Sequence, residues 1–254
     1  MAEISVNQLA SIMDTSIVEP DASENEVTEF VNEMKHFPFA GIAVDLYYLP
    51  LLVKLLKGTD IDAIGTVSYP LGGVPTRVKV EQVKWAVKNG ADEMDVVMNV
   101  SAFRSGKYDA VEKEIGAVVE AAEGRIVKII PMTCFLTPEE IKRIGRICKG
   151  AGAIFIKTCS GFGQVTKYND VKIIKDDLGD SFRVMVAGGV RNADIALQFI
   201  KVGVDRIATS TPSDIFNTLG GAQKKFTEAE LEKLAKRVEQ LNKESSQLRR
   251  GIGL

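Results

Sequence analysis

Histidine is almost missing from this chain: a single residue, His36, stands among 254. Ser-His-Asp triads, Cys-His pairs and multi-histidine metal sites each need an imidazole set beside a chosen partner. The one imidazole lies in MKHFPFAG ahead of an apolar run, a setting that reads as structural. Cysteine is scarce too, and Cys134, Cys148 and Cys159 form no C-x-x-C pair and no zinc spacing with histidine. Three unpaired thiols fit a reducing compartment. General acid-base work is left to Lys, Asp, Glu, Tyr or water. Charge of one sign is not in excess: 32 basic and 34 acidic residues are mixed along the chain, for a net charge of -2. No nucleic-acid-binding face is expected from that balance. No apolar run approaches the roughly 18–20 residues of a membrane span. The start, MAEISVNQLASIMD, lacks a basic stretch followed by an apolar signal core. The expectation is a cytoplasmic protein with no membrane or nucleic-acid partner, acting on a small molecule.

What is present is an ordinary globular composition, 45% hydrophobic and 26% charged, in a chain of the length a single α/β barrel takes. Eight short β-branched runs, several of them nearly continuous in apolar residues, recur at residues 12–17, 41–46, 63–68, 93–99, 125–131, 153–159, 183–187 and 206–210. Such runs suit strands buried on both faces. Between them lie stretches of helical period that open on Asp21-Ala-Ser-Glu24, Thr137-Pro-Glu-Glu140 and Asn192-Ala-Asp194, and others that close on Gly90, Gly150 and Gly203. The turn G-x-G-x-x-G of an open dinucleotide-binding sheet does not follow the first strand. Repeated strand and helix units without a long linker predict a closed (β/α)₈ TIM barrel over residues 1–220. Residues 221–254 change grammar. Thr227 and Glu230 make a capping box, and Leu231, Leu234, Val238, Leu241 and Leu248 form an amphipathic stripe, which predicts a C-terminal helical extension docked on its own barrel.

Three of the ionisable residues inside the apolar strands stand out: Asp95 in EMDVVMN, Lys128 in RIVKIIP and Lys157 in AIFIKTC. A lysine there either alternates outward and snorkels between helices or turns inward, where burial demands a partner or a neutral amine. An inward lysine has the chemistry of an imine-forming nucleophile, and a nearby aspartate can move protons for it. That route needs no metal and no cofactor. After the seventh strand come Gly188, Gly189 and Arg191, and after the eighth Ser210 and Thr211. Those two loops are the usual phosphate site of an α/β barrel, although a glycine pair also serves as a plain tight turn.

Phe155-Ile-Lys-Thr-Cys-Ser-Gly161 resembles the F-I/V-K-T-S-T/S-G signature of the deoxyribose-phosphate aldolases. Ala91-Asp-Glu-Met-Asp-Val-Val97 is similar to that family's A-D-E-I/V-D-M/V-V, Tyr69-Pro-Leu-Gly72 to its F-P-x-G, Val127-Lys-Ile-Ile-Pro-Met-Thr133 to L-K-V-I-x-E-T and Arg206-Ile-Ala-Thr-Ser210 to R-I/F-G-T/A-S. The resemblance runs in order from about Asp14 to Ile215. It implies a class I aldolase that reversibly cleaves a phosphorylated sugar, 2-deoxyribose 5-phosphate, to acetaldehyde and glyceraldehyde 3-phosphate, with Lys157 as the Schiff-base lysine, Asp95 handling protons and Lys128 beside them. Asp14, Thr158, Gly161, Gly188, Gly189, Arg191, Ser210 and Thr211 are the expected substrate contacts. A homo-oligomer, dimer or tetramer, is expected as well.

The sequence also departs from that pattern. Where the family carries a second lysine in K-A/P-S/A-G-G-I/V-R, this chain has Met185, which supplies neither charge nor proton. The family's D-H-T is Asp14-Thr-Ser16, its Cys-x-Asn is Ala43-Val-Asp45 and its strand-five glutamate is Met132. Two functions stay open: an active aldolase with a shifted donor, acceptor or pH optimum, and a catalytically weak barrel that binds a phosphorylated ligand.

Overall fold

The computed structural model describes residues 3–163 and 165–251. Each apolar run forms a strand: β1 Met13–Ile17, β2 Gly41–Asp45, β3 Asp62–Val67, β4 Glu93–Val97, β5 Ile126–Ile130, β6 Phe155–Lys157, β7 Arg183–Val186 and β8 Arg206–Thr209. All pairings are parallel and sequential, and β1 pairs with β8, so the sheet closes into a barrel. β6 is shorter than the seven-residue run suggested, because its ladder covers only Phe155–Lys157 against β7 and Phe155 and Ile156 against β5.

Alternation along the strands sorts side chains into two environments. One set, including Ile42, Val44, Met94, Val96, Val127, Ile129, Ile156, Val184 and Val186, joins the main core under the helices. The alternate set faces the barrel interior in small apolar groups, Ile126 with Phe155 and Met185, and Val97 with Ile130 and Cys159. Lys128 falls between Ile126 and Ile130, and Lys157 between Phe155 and Cys159. The interior charges therefore occupy a layer sandwiched between two apolar ones.

The helices are α1 Val6–Ala10, α2 Glu24–Met34, α3 Leu49–Leu55, α4 Thr76–Lys88, α5 Val100–Arg104, α6 Tyr108–Ala121, α7 Pro138–Gly150, α8 Tyr168–Leu178, α9 Ala193–Val202, α10 Pro212–Gln223 and α11 Glu228–Gly251. Thr137 and Glu140 form the expected capping box, and Asn192 caps α9. The cap of α2 is Ser23, within the segment Asp21-Ala-Ser-Glu24, boxed with Glu26. After α7 the left-handed position falls on Gly152, at φ +86°, and not on Gly150, which ends the helix.

α10 continues to Gln223, past residue 220, and the Gln223 side chain accepts from the Ile4 N–H at 2.7 Å. α11 starts behind a reciprocal Thr227–Glu230 box and packs on α9 and α1. Leu234, Val238 and Leu241 are buried there, while Leu231 is only half-buried and the Leu248 side chain lies outside the described residues. Polar ties fix the register: Ser11 Oγ donates to Asn242 Oδ1 at 2.6 Å, and Arg237 meets Asp205 at 2.8 Å. No helix among the described residues is long and apolar enough to cross a membrane.

Candidate active site

Both strand lysines turn inward. Lys157 Nζ donates to Asp95 Oδ2 at 2.5 Å. Lys128 is fully buried, and its Nζ lies 2.6 Å from Asp14 Oδ2, 2.5 Å from Glu93 Oε2 and 3.3 Å from Asp95 Oδ1. That last contact is an ion pair without hydrogen-bond geometry, since Asp95 Oδ1 has no hydrogen-bond partner among the described residues. Arg206 Nη1 completes the layer at 2.7 Å from Glu93 Oε2 and 3.3 Å from Asp14 Oδ1. Register explains the assembly. Asp95 pairs with Lys128 across β4 and β5, and Glu93 and Asp95, two apart, share the inward face.

Three acids, Asp14, Glu93 and Asp95, thus face three cations, Lys128, Lys157 and Arg206. Burial works against ionisation of Asp95, yet the Lys128 and Lys157 ammoniums hold its carboxyl below the usual carboxylate range. Burial likewise opposes the charge on Lys128, and the carboxylates of Asp14, Asp95 and Glu93 outweigh it, keeping the ammonium above its ordinary value. Lys128 and the carboxylates around it therefore stay charged without solvent.

Above this layer, at the C-terminal ends of the strands, opens a cavity of about 280 Å³. Lys157 and Asp95 line it, as do Gly161, Gly188, Gly189, Arg191, Ser210 and Thr211. Lys128, Asp14 and Thr158 do not. Lys128 and Asp14 sit beneath, engaged with each other. Thr158 points the other way from Lys157 by strand alternation, and its hydroxyl accepts from the Ala187 N–H at 3.0 Å and meets Thr166 Oγ1 at 2.7 Å. It ties β6 to β7 instead of facing the cavity.

On the β7–β8 side the rim is built by backbone. Gly188 and Gly189 have φ of +89° and +87°, and a Cβ on Gly189 would come within 2.7 Å of Val165 Cγ1, so glycine is required there. The Thr211 N–H already donates to Thr209 Oγ1 at 3.1 Å. Its hydroxyl, buried and without a partner among the described residues, is the group left facing the cavity at the start of α10. Across the mouth, the Tyr69 hydroxyl donates to the Ser160 carbonyl, and the ring stands edge-on to Phe162. Burial, and then the Asp95 and Glu19 carboxylates, push the Tyr69 phenol above its ordinary value and keep it a donor. No group of three metal-ligating side chains free to hold an ion is found among the described residues.

Residues 19–209 match the DeoC/LacD family of aldolases. The chain belongs to that family. It is 39% identical over 214 residues, 84% of this chain and 98% of the relative, to the deoxyribose-phosphate aldolase of Dictyoglomus turgidum. With that of Aciduliprofundum boonei it shares 38% over 215 residues, 84% and 97% of the two chains. Among solved structures, the aldolase QR15 superposes with a TM-score of 0.80 at 32% identity, covering 86% of this chain and 99% of that one. The deoxyribose phosphate aldolase of Aeropyrum pernix, described as a unique tetramer, gives 0.78 at 25% identity, covering 85% and 92%. The protein is thus a (β/α)₈ aldehyde-lyase of the Schiff-base class.

Two members of the charged layer escaped the sequence reading as site residues. Glu93 carried a signal, its spacing of two from Asp95 in an apolar strand. Arg206 carried a weaker one, because a basic residue at a strand start is common and only barrel closure brings β8 against β1.

Proposed function

We propose that the protein cleaves and forms 2-deoxyribose 5-phosphate, with Lys157 as the imine-forming amine, Asp95 as proton carrier and the β7–β8 rim as the phosphate seat. One observation supports this above the rest: the Lys157 amine is buried at the end of the cavity in direct contact with a carboxylate. Attack on the sugar carbonyl needs the free amine, and a carboxylate 2.5 Å away accepts the proton the ammonium gives up. Asp95 returns that proton to the carbinolamine hydroxyl, water leaves, the iminium forms at C1, and the again ionised Asp95 takes the proton of the C3 hydroxyl as the C2–C3 bond breaks. The bond's electron pair passes to C2 as an enamine. Protonation of that carbon and hydrolysis release acetaldehyde. Lys128, held by three carboxylates, stays a cation throughout and stabilises the ionised form of Asp95.

Gly188, Gly189, Ser210 and Thr211, with Arg191 at the edge, offer backbone N–H groups, hydroxyls and one cation to a phosphate. Asp14, Lys128 and Thr158 then act on the substrate only through the residues they hold. The same reading makes the protein a cytoplasmic homo-oligomer that works without a cofactor.

A second reading keeps its footing on Met185, which stands in register with Lys157 and is fully buried without a polar group. In that reading the barrel binds phosphorylated sugars and turns them over poorly. Borohydride reduction in the presence of acetaldehyde or deoxyribose 5-phosphate separates the two. The expected result is one covalent adduct, mapped to Lys157 and lost in Lys157→Met. Reduction that leaves Lys157 unmodified, or marks surface lysines alone, removes the Schiff-base reading.

A further inference from the structure

Thr66 lies on β3, in register with Asp95, and is 4% exposed. Its hydroxyl is buried and has no hydrogen-bond partner among the described residues, although the residue lines the cavity. A hydroxyl offers one donor and two acceptor positions, and leaving all of them dry and unpaired carries the full desolvation penalty. Other buried unpaired hydroxyls are found at Thr15 and Ser68, but neither lines the cavity, and Thr211 belongs to the phosphate rim. Thr66 is therefore the orphan at the other end. In a closed ring of eight strands β3 stands across from β7, so Thr66 lies on the side of the cavity away from Gly188 and Gly189. Its neighbours there, Ala43 on β2 and Ser16 on β1, are small.

The cavity lining thus carries the glycine rim of β7 and β8 at one side, Lys157 and Asp95, and at the other side an unpaired hydroxyl flanked by small side chains. We propose that Thr66 recognises a hydroxyl on C2, so that the enzyme cleaves 2-hydroxylated aldopentose 5-phosphates to hydroxyacetaldehyde and glyceraldehyde 3-phosphate, and runs the reverse addition with hydroxyacetaldehyde as donor. The inference rests on the aldolase reading and extends its substrate class. The steps balance as for the deoxy sugar. Lys157 Nζ replaces the C1 oxygen with loss of water, Asp95 accepts the C3 hydroxyl proton, and the C2–C3 pair moves to C2 as an enamine. C3 becomes the aldehyde of glyceraldehyde 3-phosphate. C2 keeps its hydroxyl, takes one proton, and hydrolysis frees hydroxyacetaldehyde and the amine. No oxidant or reductant is required.

The test uses the full chain, Thr66→Val, which keeps the branched shape without the hydroxyl, and Thr66→Ser, which keeps the hydroxyl. The readout is kcat/KM for ribose 5-phosphate and for arabinose 5-phosphate, each divided by kcat/KM for 2-deoxyribose 5-phosphate. A ratio cancels differences in folded fraction between variants. For the better pentose it is expected to fall about tenfold in Thr66→Val, equivalent to about 1.4 kcal/mol, and to recover in Thr66→Ser. A ratio that Thr66→Val leaves within about threefold, less than about 0.7 kcal/mol, overturns the inference. So does a native protein that cleaves deoxyribose 5-phosphate and neither pentose, and both results leave the aldolase reading standing. If no sugar is cleaved, borohydride trapping with acetaldehyde and hydroxyacetaldehyde in competition decides. A preference for hydroxyacetaldehyde on Lys157 that Thr66→Val abolishes supports the inference, equal trapping in both proteins overturns it, and no adduct at Lys157 overturns both readings.

Discussion

Met185 and Lys128 divide one task at the scale of single residues. The reaction needs a lysine that gives up its proton and a cation that keeps its own. Lys128 is fixed as the cation by Asp14, Glu93 and Asp95, and it reaches Lys157 only through Asp95. Met185 sits in an apolar group with Ile126 and Phe155, and Ala208, which also lines the cavity, packs against that group. A lysine placed there is long enough to pass Ala208 and bring an ammonium toward the cavity, where repulsion favours the free amine of Lys157. Met185→Lys is therefore expected to raise the rate of deoxyribose 5-phosphate cleavage at pH 7 several-fold and to flatten a profile that in the native protein climbs with pH. A native profile already flat and fast at neutral pH, unchanged by Met185→Lys, would show that Lys128 alone suffices. The departure at 185 was legible in the sequence. What compensates for it was not, because Lys128 alternates inward or outward according to a register that only the closed sheet sets.

At the scale of elements, the β8–α10 turn and α11 carry separate predictions. The Thr209 hydroxyl accepts from the Thr211 N–H and donates to the Val190 carbonyl, which ties the β7 and β8 loops together and leaves the Thr211 hydroxyl unpaired at the cavity. Thr211→Val should raise KM for deoxyribose 5-phosphate by roughly ten- to a hundredfold, as the loss of one hydrogen bond to a charged group does. The KM for unphosphorylated deoxyribose should move far less, and an equal change for both would indicate a distorted loop. α11 was predicted from its heptad-like leucines, and three of the side chains it was expected to bury are buried. Each contributes about 1.5–3 kcal/mol before the cost of ordering the helix. A chain ending at residue 225 should accordingly melt at least about 5 °C lower. An unchanged melting temperature would show that α11 is not part of the folded unit's stability.

For the whole molecule, the charged layer makes stability depend on pH in a definite direction. Asp14, Glu93 and Asp95 are each held below their ordinary values: burial raises them, and the charges of Lys128 and Arg206 or Lys157 outweigh it. Folded-state values below the unfolded ones mean that the stabilisation is complete above about pH 5 and is lost as pH falls through the folded-state values. Urea midpoints measured from pH 7 downward should be level to about pH 5 and then drop steeply. A midpoint that stays level to pH 3 would mean that the layer adds no net stability, as some buried ion networks do not.

The sequence by itself determined the eight strands, their order, the helix starts at Thr137, Asn192 and Thr227, the glycine turn after β7 and the pair Lys157 and Asp95, because these follow from periodicity, turn chemistry and short motifs that act over a few residues. Tertiary structure decided the rest: that Lys128 lies under the cavity and not at its mouth, that Thr158 faces a neighbouring loop, that Arg206 meets Glu93 across the interior and that the Thr66 hydroxyl is left without a partner. Each of these depends on which residues of different strands stand level with one another. That register is fixed only when the sheet closes and β8 finds β1.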